Sequence, residues 1–354
     1  MIEHSKYHNI DSNNIQDVVK NIKNGVYKFY QFYNVEIDPD EHAYMDFMEA
    51  YESSSIKKVL NKTYYDIETY VNEDGDFTDP EEVDRPVNSI ALYNNIKNIC
   101  HIVCYVTDCD MTDPVEIERL SRIMFEETIK SNSTYDIPGI ELVYHIEKDE
   151  KTLIQTFFRL IRELNTLALI GFNSNTFDDP FMINRTSKLF GEARMNDIVS
   201  EFGIVEKKGN SSYEIPDFLL VDILKLYKPV GSGGGGLGKS LPDFKLNTVA
   251  FKELKITKLD LPGGFRHNYL HNIVGYLTYN IFDTLLTFKL DDKLLFMESM
   301  YDLSVYNNAT MGATINGRSI LYRYRNDLMY NSQNKITRAK KFSSEVLFEV
   351  EIET

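Results

Sequence analysis

Thr63-Tyr64-Tyr65-Asp66-Ile67-Glu68-Thr69 is the stretch whose reading decides the fold. Its β-branched and aromatic residues predict a strand. Residues two apart in a strand share a face, so Asp66 and Glu68 project together while Tyr65 and Ile67 project to the other side. Two carboxylates side by side on a buried strand repel each other and lose hydration unless something positive sits between them. A pair of divalent metal ions is the usual answer. The same residues also fit a half-exposed strand with two solvated charges, and Asp-x-Glu alone favours that plainer reading.

Working outward, residues 1 to about 60 are polar and rich in Tyr and Phe, with a candidate strand over 26–30. An acidic loop, residues 72–84, follows the Asp-x-Glu strand. Further strands are expected over 89–93 and 101–106; in the second, Cys100, Ile102, Cys104 and Val106 share one face. His101 and three cysteines bring zinc to mind, but no C-x-x-C pair exists and core packing is the favoured reading. Residues 115–130 have helical spacing, and 140–146 read as a strand. Leu153, Ile154, Phe157, Phe158, Ile161 and Leu164 repeat at i, i+3, i+4 and predict an amphipathic helix over 149–164. Residues 167–172 form a short apolar run, as in a strand covered on both faces. Strands alternating with helices give an α/β domain.

That run ends at Asn173-Ser174-Asn175-Thr176-Phe177-Asp178. Asp178 falls at the carboxyl end of a strand, where open α/β sheets place ligands. A simple helix cap accounts for it equally well. Residues 202–215 carry a hairpin tip at 207–212, and 218–227 return as a strand or short helix. Gly233 to Ser240 satisfies G-x-x-x-x-G-K-[ST], the phosphate-loop pattern. Ser240-x-x-Asp243 reads better as a capping box with Pro242 just inside a helix, which makes the Gly-rich stretch a linker. Ile273, Leu277, Ile281 and Leu285 mark a helix over 271–290 that puts Tyr279 and Asp283 on one face. On its own, that pair is a surface pair on a long helix. His267 and His271 lack the Glu of a metalloprotease helix and read as surface or DNA-side residues.

The length of 354 residues suits about two domains. No run of 18 apolar residues and no apolar N-terminal core occurs, so neither a membrane span nor a signal peptide is expected. Three cysteines argue for a reducing compartment. The net charge of -16 looks wrong for a nucleic-acid binder. Yet residues 318–341 hold Arg318, Arg323, Arg325, Lys335, Arg338, Lys340 and Lys341 against one acid, Asp327. That window carries +6 and leaves -22 elsewhere. With Tyr322, Tyr324 and Tyr330 interleaved, it suits a strand-binding surface and equally a solvated helix face.

In order, Asp66-x-Glu68, Asn173-x-x-x-Phe177-Asp178 and Tyr279-x-x-x-Asp283 resemble the three exonuclease motifs of family B DNA polymerases, the DEDDy class. Asp76-Phe77-Thr78-Asp79-Pro80, Ile90 to Tyr93, Gly171 to Arg185 and Val221 to Lys228 are similar to the T-even-type phage members, so the resemblance covers about residues 60 to 305. It implies a ribonuclease-H-like α/β fold, a mixed sheet flanked by helices, beside a small N-terminal region. The expected divisions are residues 1–60, 61–295, and 296–354 returning towards the N-terminal region. It implies 3′→5′ hydrolysis of DNA with two Mg²⁺ ions, Mn²⁺ being the alternative, about 3.5–4 Å apart. Asp66 would bridge both ions, Glu68 and Asp283 would hold the one that activates water, and Asp178 would support the other through water. Tyr279, neutral with a reference pKa of about 10, would orient the attacking water. Asn173 and Phe177 would hold the frayed 3′ strand, with Arg318, Arg323 and Arg325 as further DNA contacts. The hairpin near Gly209 resembles the family's strand-separating hairpin.

Expected partners are the single-stranded 3′ end of DNA, a separate polymerase chain with palm, fingers and thumb, and a sliding clamp, with no membrane. The expected location is the cytoplasm of an infected bacterial host. No palm motif, Asp-x-x-Ser-Leu-Tyr-Pro or Tyr-x-Asp-Thr-Asp, is found, so the chain is expected to be the editing half of a split polymerase or, equally, a polymerase portion whose end folds back onto the N-terminal region. In residues 345–353, Phe348, Val350 and Ile352 alternate with acids as a terminal strand open to pairing with another chain. Two other classes remain: a nucleotide-hydrolysing motor using Gly233–Ser240, and a non-catalytic DNA-binding subunit, against which the intact carboxylate set argues.

Overall fold

The alternation that predicts the first strand is realised in β1 (Lys62–Thr69), whose flanking residues and side chains place it inside a sheet. The computed structural model describes residues 60–72, 78–208, 212–228, 241–307, 310–316, 337–338 and 351–352. Within them, β2 (Val87–Asn94), β3 (Ile99–Tyr105), β4 (Glu141–Glu147) and β5 (Ala168–Gly171) follow in turn. A hairpin of β6 (Glu206–Lys208) and β7 (Ser212–Glu214) and then β8 (Leu219–Asp222) come next. Six strands make a mixed sheet of order β4-β3-β2-β1-β5-β8. β2 is antiparallel to both β1 and β3, whereas β4 runs parallel to β3, and β5 parallel to β1 and β8. This is the α/β architecture expected, with helices on both faces.

The helices are α1 (Pro114–Ser131), α2 (Glu150–Glu163), α3 (Asp178–Phe190), α4 (Glu192–Val199), α5 (Ile223–Tyr227), α6 (Leu246–Leu254), α7 (Gly264–His271) and α8 (Ile273–Leu294). Tyr65 and Ile67 enter a core with Leu153, Phe157 and Phe158 of α2 and Phe181 of α3. The opposite face of β1 meets α8: Tyr64 packs edge-on against Phe288 at 5.3 Å, and α8 crosses both β1 and β2. Residues one apart in β1 therefore serve two different layers, and the Asp66–Glu68 side is the α8 side.

Asp149 caps α2 by accepting from Thr152 N at 2.8 Å, one residue before the helix, where Asp is favoured. The segment 218–227 is both things expected of it, strand β8 and then α5, with Asp222 accepting from Leu224 N as the cap. Cys100, Cys104 and Cys109 are free and buried; burial pushes the Cys104 thiol up to about 12.

Three expectations are corrected. The helix expected from His271 starts at Ile273, because the Asn272 side chain accepts from Gly275 N and ends α7 at His271. The helix expected to follow Ser240 starts only at Leu246; Asp243 accepts from Lys245 N at 3.1 Å, a turn contact and not a capping box. Among the described residues α5 follows β8 before the Gly-rich stretch, so no described strand leads directly into it as a phosphate loop requires, which is no departure from the linker reading. The terminal strand is not without a partner where it is described: β9 (Thr337–Arg338) pairs antiparallel with one edge of β10 (Glu351–Ile352). The candidate strand over 26–30, the hairpin tip at 209–211, the Gly-rich stretch and Arg318, Arg323 and Arg325 lie outside the described residues.

The chain divides into two compact units, Lys57–Ser299 and a second composed of Met1–Ile56 with Met300–Thr354. Among the described residues no helix is long and apolar enough to cross a membrane.

Candidate active site: carboxylates between β1 and α8

The α8 face of β1 carries Asp66 and Glu68, and α8 answers with Asp283. One oxygen from each of these three lies within 4.8 Å of the others. Glu68 and Asp283 are buried, while Asp66 retains partial access to solvent. Asp178 opens α3 at the carboxyl end of β5 and reaches back to β1, where Ile67 N stands 3.4 Å from its Oδ1. Asn173 sits between β5 and α3 at φ +66°, a left-handed conformation that Asn tolerates. Its backbone N–H donates to Asp222 Oδ1 at 2.8 Å, which ties the loop to β8. Phe177 precedes α3, stacks on Phe181 at 5.6 Å and remains half-buried.

The electrostatics are those of crowded acids. Burial first, then Asp283, pushes Asp66 up to about 7. Burial, then Asp66 and Asp283, lifts Glu68 well above the carboxylate range, and burial with Asp66 and Asp179 does the same to Asp178. Asp283 is raised by burial although Lys258 and Tyr279 pull it down. Asp283 Oδ1 is buried with no hydrogen-bond partner among the described residues. An all-oxygen donor set with an orphaned carboxylate oxygen fits hard divalent cations. Asp66, Glu68 and Asp283 form the shared pocket; Asp178 stands outside that trio, nearer the backbone of Ile67.

Tyr279 lies one helical turn before Asp283, 7% exposed, with Phe265 of α7 edge-on to its ring at 5.7 Å. Burial and then Asp283 raise its hydroxyl above the usual tyrosine value, so it is neutral at physiological pH.

Two residues of the site were not anticipated. Lys258, in the loop after α6, forms an ion pair with Asp283 and holds its ammonium 4.8 Å from the centre of the Tyr279 ring. Burial opposes its charge, but Asp283, Tyr279 and Asp66 together raise its pKa above the ordinary lysine value. Asn280 donates to Asp66 Oδ2 at 2.9 Å and to Asp66 O at 3.2 Å, and is itself oriented by Ser89 Oγ at 2.9 Å. Asn280 follows Tyr279 directly, so its place on α8 was readable, but its acceptor was not. His267 is exposed, and His271 pairs with Asp110 at 2.9 Å, away from the carboxylates.

The family model for the exonuclease domain of DNA polymerase family B matches residues 28–249. The DNA-directed DNA polymerase of Escherichia phage RB69 is 23% identical over 279 residues, which is 76% of this chain and 30% of that protein. That of Enterobacteria phage T4 is 24% identical over 254 residues, 65% of this chain and 25% of that protein. The DNA polymerase delta catalytic subunit of Plasmodium falciparum is 26% identical over 242 residues, 60% of this chain and 21% of that protein. The chain thus spans less than a third of the length of these relatives.

Proposed function

Because the chain belongs to family B of the DNA polymerases and carries their exonuclease domain, we propose that it removes the 3′-terminal nucleotide of single-stranded DNA by hydrolysis, using the DEDDy set Asp66, Glu68, Asp178, Tyr279 and Asp283. The observation that carries this reading is the convergence of Asp66, Glu68 and Asp283 oxygens within 4.8 Å from two separate elements.

Two divalent ions, Mg²⁺ or Mn²⁺, would when bound supply Lewis acidity to a water and to the phosphate. Asp66, Glu68 and Asp283 are the residues to hold them, with Asp178 supporting from the α3 side. Asn280 fixes the carboxylate of Asp66 so that both acids of β1 face α8. Tyr279, kept neutral, offers a hydroxyl proton or lone pair to orient the attacking water beside Asp283. Asn173 and Phe177 line the carboxyl end of β5, where a frayed strand end would lie, Phe177 through its half-exposed ring. Arg318, Arg323 and Arg325 are proposed as further DNA contacts on composition alone. Association with polymerase palm, fingers and thumb and with a sliding clamp, in the cytoplasm of an infected bacterial host, is proposed on the likeness to the phage relatives alone.

The test is degradation of 5′-labelled single-stranded DNA. Wild-type protein is expected to shorten it from the 3′ end only with Mg²⁺, and Asp66→Ala with Glu68→Ala to abolish this while the melting curve persists. Undiminished digestion by the double variant rejects the assignment, and RNA in a parallel arm decides the substrate class. A wild-type protein that binds DNA without cutting it favours the non-catalytic DNA-binding alternative.

A further inference from the structure

Behind the carboxylates, on the other face of β1, Tyr65 Oη donates to Asp179 Oδ1 at 2.5 Å. Tyr65 is the chain neighbour of Asp66, and Asp179 that of Asp178. The bond therefore joins the same two elements, β1 and the first turn of α3, whose adjoining residues Asp66 and Asp178 carry the site. We propose that Tyr65 and Asp179 are positioning residues, and that their bond sets Asp178 against Asp66 for metal binding. The proposal rests on the exonuclease reading above.

Four observations carry it. The start of α3 has no side-chain cap, and Ile67 N is 3.4 Å from Asp178 Oδ1, a marginal hydrogen bond, so among the described residues little other hydrogen bonding ties that turn to β1. Tyr65 and Asp179 are 1% and 5% exposed, so their bond is made in a low-dielectric interior where geometry is held tightly. The space for the Tyr65 ring is reserved: a Cβ at Gly171 would stand 3.2 Å from Tyr65 Cε1 and 2.5 Å from Ser174 Cβ. Finally, Asp179 Oδ2 is buried with no hydrogen-bond partner among the described residues. Burying a carboxylate costs far more than burying an apolar or amide group. An acceptor kept at that cost, where an apolar side chain would fill the same space, marks the contact as more than packing.

The experiment titrates Mn²⁺ into DNA-free protein by calorimetry, beside steady-state exonuclease kinetics and melting curves. Tyr65→Phe removes one oxygen; it is expected to weaken Mn²⁺ binding and lower kcat, each about tenfold or more, with KM for DNA unchanged. Asp179→Leu is expected to match it. The double variant should be no worse than either single one, because both act through one bond. Asp179→Asn keeps the acceptor and is expected to bind Mn²⁺ close to wild type. The proposal is overturned if Tyr65→Phe binds Mn²⁺ as wild type does, if Asp179→Asn loses as much as Asp179→Leu, or if binding falls only with the unfolded fraction. A wild-type protein that binds Mn²⁺ and leaves DNA intact overturns the exonuclease reading and leaves the latch standing.

Discussion

Lys258 forms an ion pair with Asp283 while its ammonium faces the Tyr279 ring at 4.8 Å, so one cation touches two of the residues that α8 contributes to the site. Its side chain is 25% exposed against 4% for Asp283, so the lysine enters the carboxylate cluster from the solvent side. It balances the crowded acids in the absence of metal and aligns Asp283 beside Tyr279. Replacing it by Gln is expected to lower kcat about 10–100-fold, the usual cost of losing a partner that orients a ligand. Mn²⁺ should bind at least as tightly, because a like charge has been removed from the cation's site. Single-turnover kinetics and calorimetry read the two effects separately; unchanged kcat, or weaker Mn²⁺ binding, contradicts this role.

Tyr279→Phe isolates the hydroxyl. If it orients the attacking water, hydrolysis slows about 10²-fold, typical of one positioned catalytic group, with DNA and Mn²⁺ affinity retained. Because burial and Asp283 raise the Tyr279 pKa, no loss of activity from its ionisation is expected across neutral pH. Wild-type turnover in the Phe variant removes Tyr279 from the mechanism.

The acids were legible because each sits where a period is strong: Asp66 and Glu68 in an alternating strand, Tyr279 and Asp283 in a helix marked by Ile273, Leu277, Ile281 and Leu285, all buried. Asp178 was legible because an apolar run, β5, ends just before it. Lys258 was not, since it lies in an irregular loop with no spacing that relates it to Asp283, 25 positions later. Asn280 and the Tyr65–Asp179 bond need the packing of β1 against α8 and α3, which local pattern does not supply. The His101–His145 contact, 3.0 Å between Nδ1 and Nε2, needs the parallel register of β3 with β4. Helix starts failed where capping residues competed: Asn272 could cap or continue a helix, and only tertiary packing chose.

A second buried ionic group holds β1 against the far end of α8. Lys62 Nζ donates to Asp291 Oδ2 at 2.9 Å and to Glu298 Oε1 at 2.6 Å, and Tyr64 donates to Asp291 Oδ2 at 2.5 Å. Lys62 and Asp291 are nearly inaccessible. Lys62→Met strands the Asp291 carboxylate and is expected to destabilise the fold by roughly 3–5 kcal/mol. Adding Asp291→Leu should recover part of that loss, not all, because Tyr64 loses its acceptor. Urea denaturation of the two variants checks the order; a double variant less stable than Lys62→Met refutes it.

The crowded acids also fix how the metal-free protein responds to pH. Asp66 has a folded pKa of about 7 against a usual value of 3.8, chiefly through burial and then Asp283. A raised folded pKa means the folded state holds a proton that the unfolded state releases. The stability this contributes is fully present below 3.8 and lost as pH rises through about 7. Glu68, Asp178 and Asp283 are shifted in the same direction. His101 works the other way: burial and then His145 lower it to about 4 from 6.5, so its contribution is present above 6.5 and lost as pH falls towards 4. Asp66→Asn separates the two, since it removes the acid and leaves His101 untouched. Without metal, the wild-type melting temperature is expected to fall relative to Asp66→Asn between about pH 5 and about pH 8. Mg²⁺ should then raise the wild type more at the upper pH, where it no longer competes with protons, and raise Asp66→Asn little at either. Melting curves of both proteins at the two pH values, with and without Mg²⁺, decide it: parallel curves would mean that burial and Asp283 do not hold Asp66 protonated in the metal-free fold.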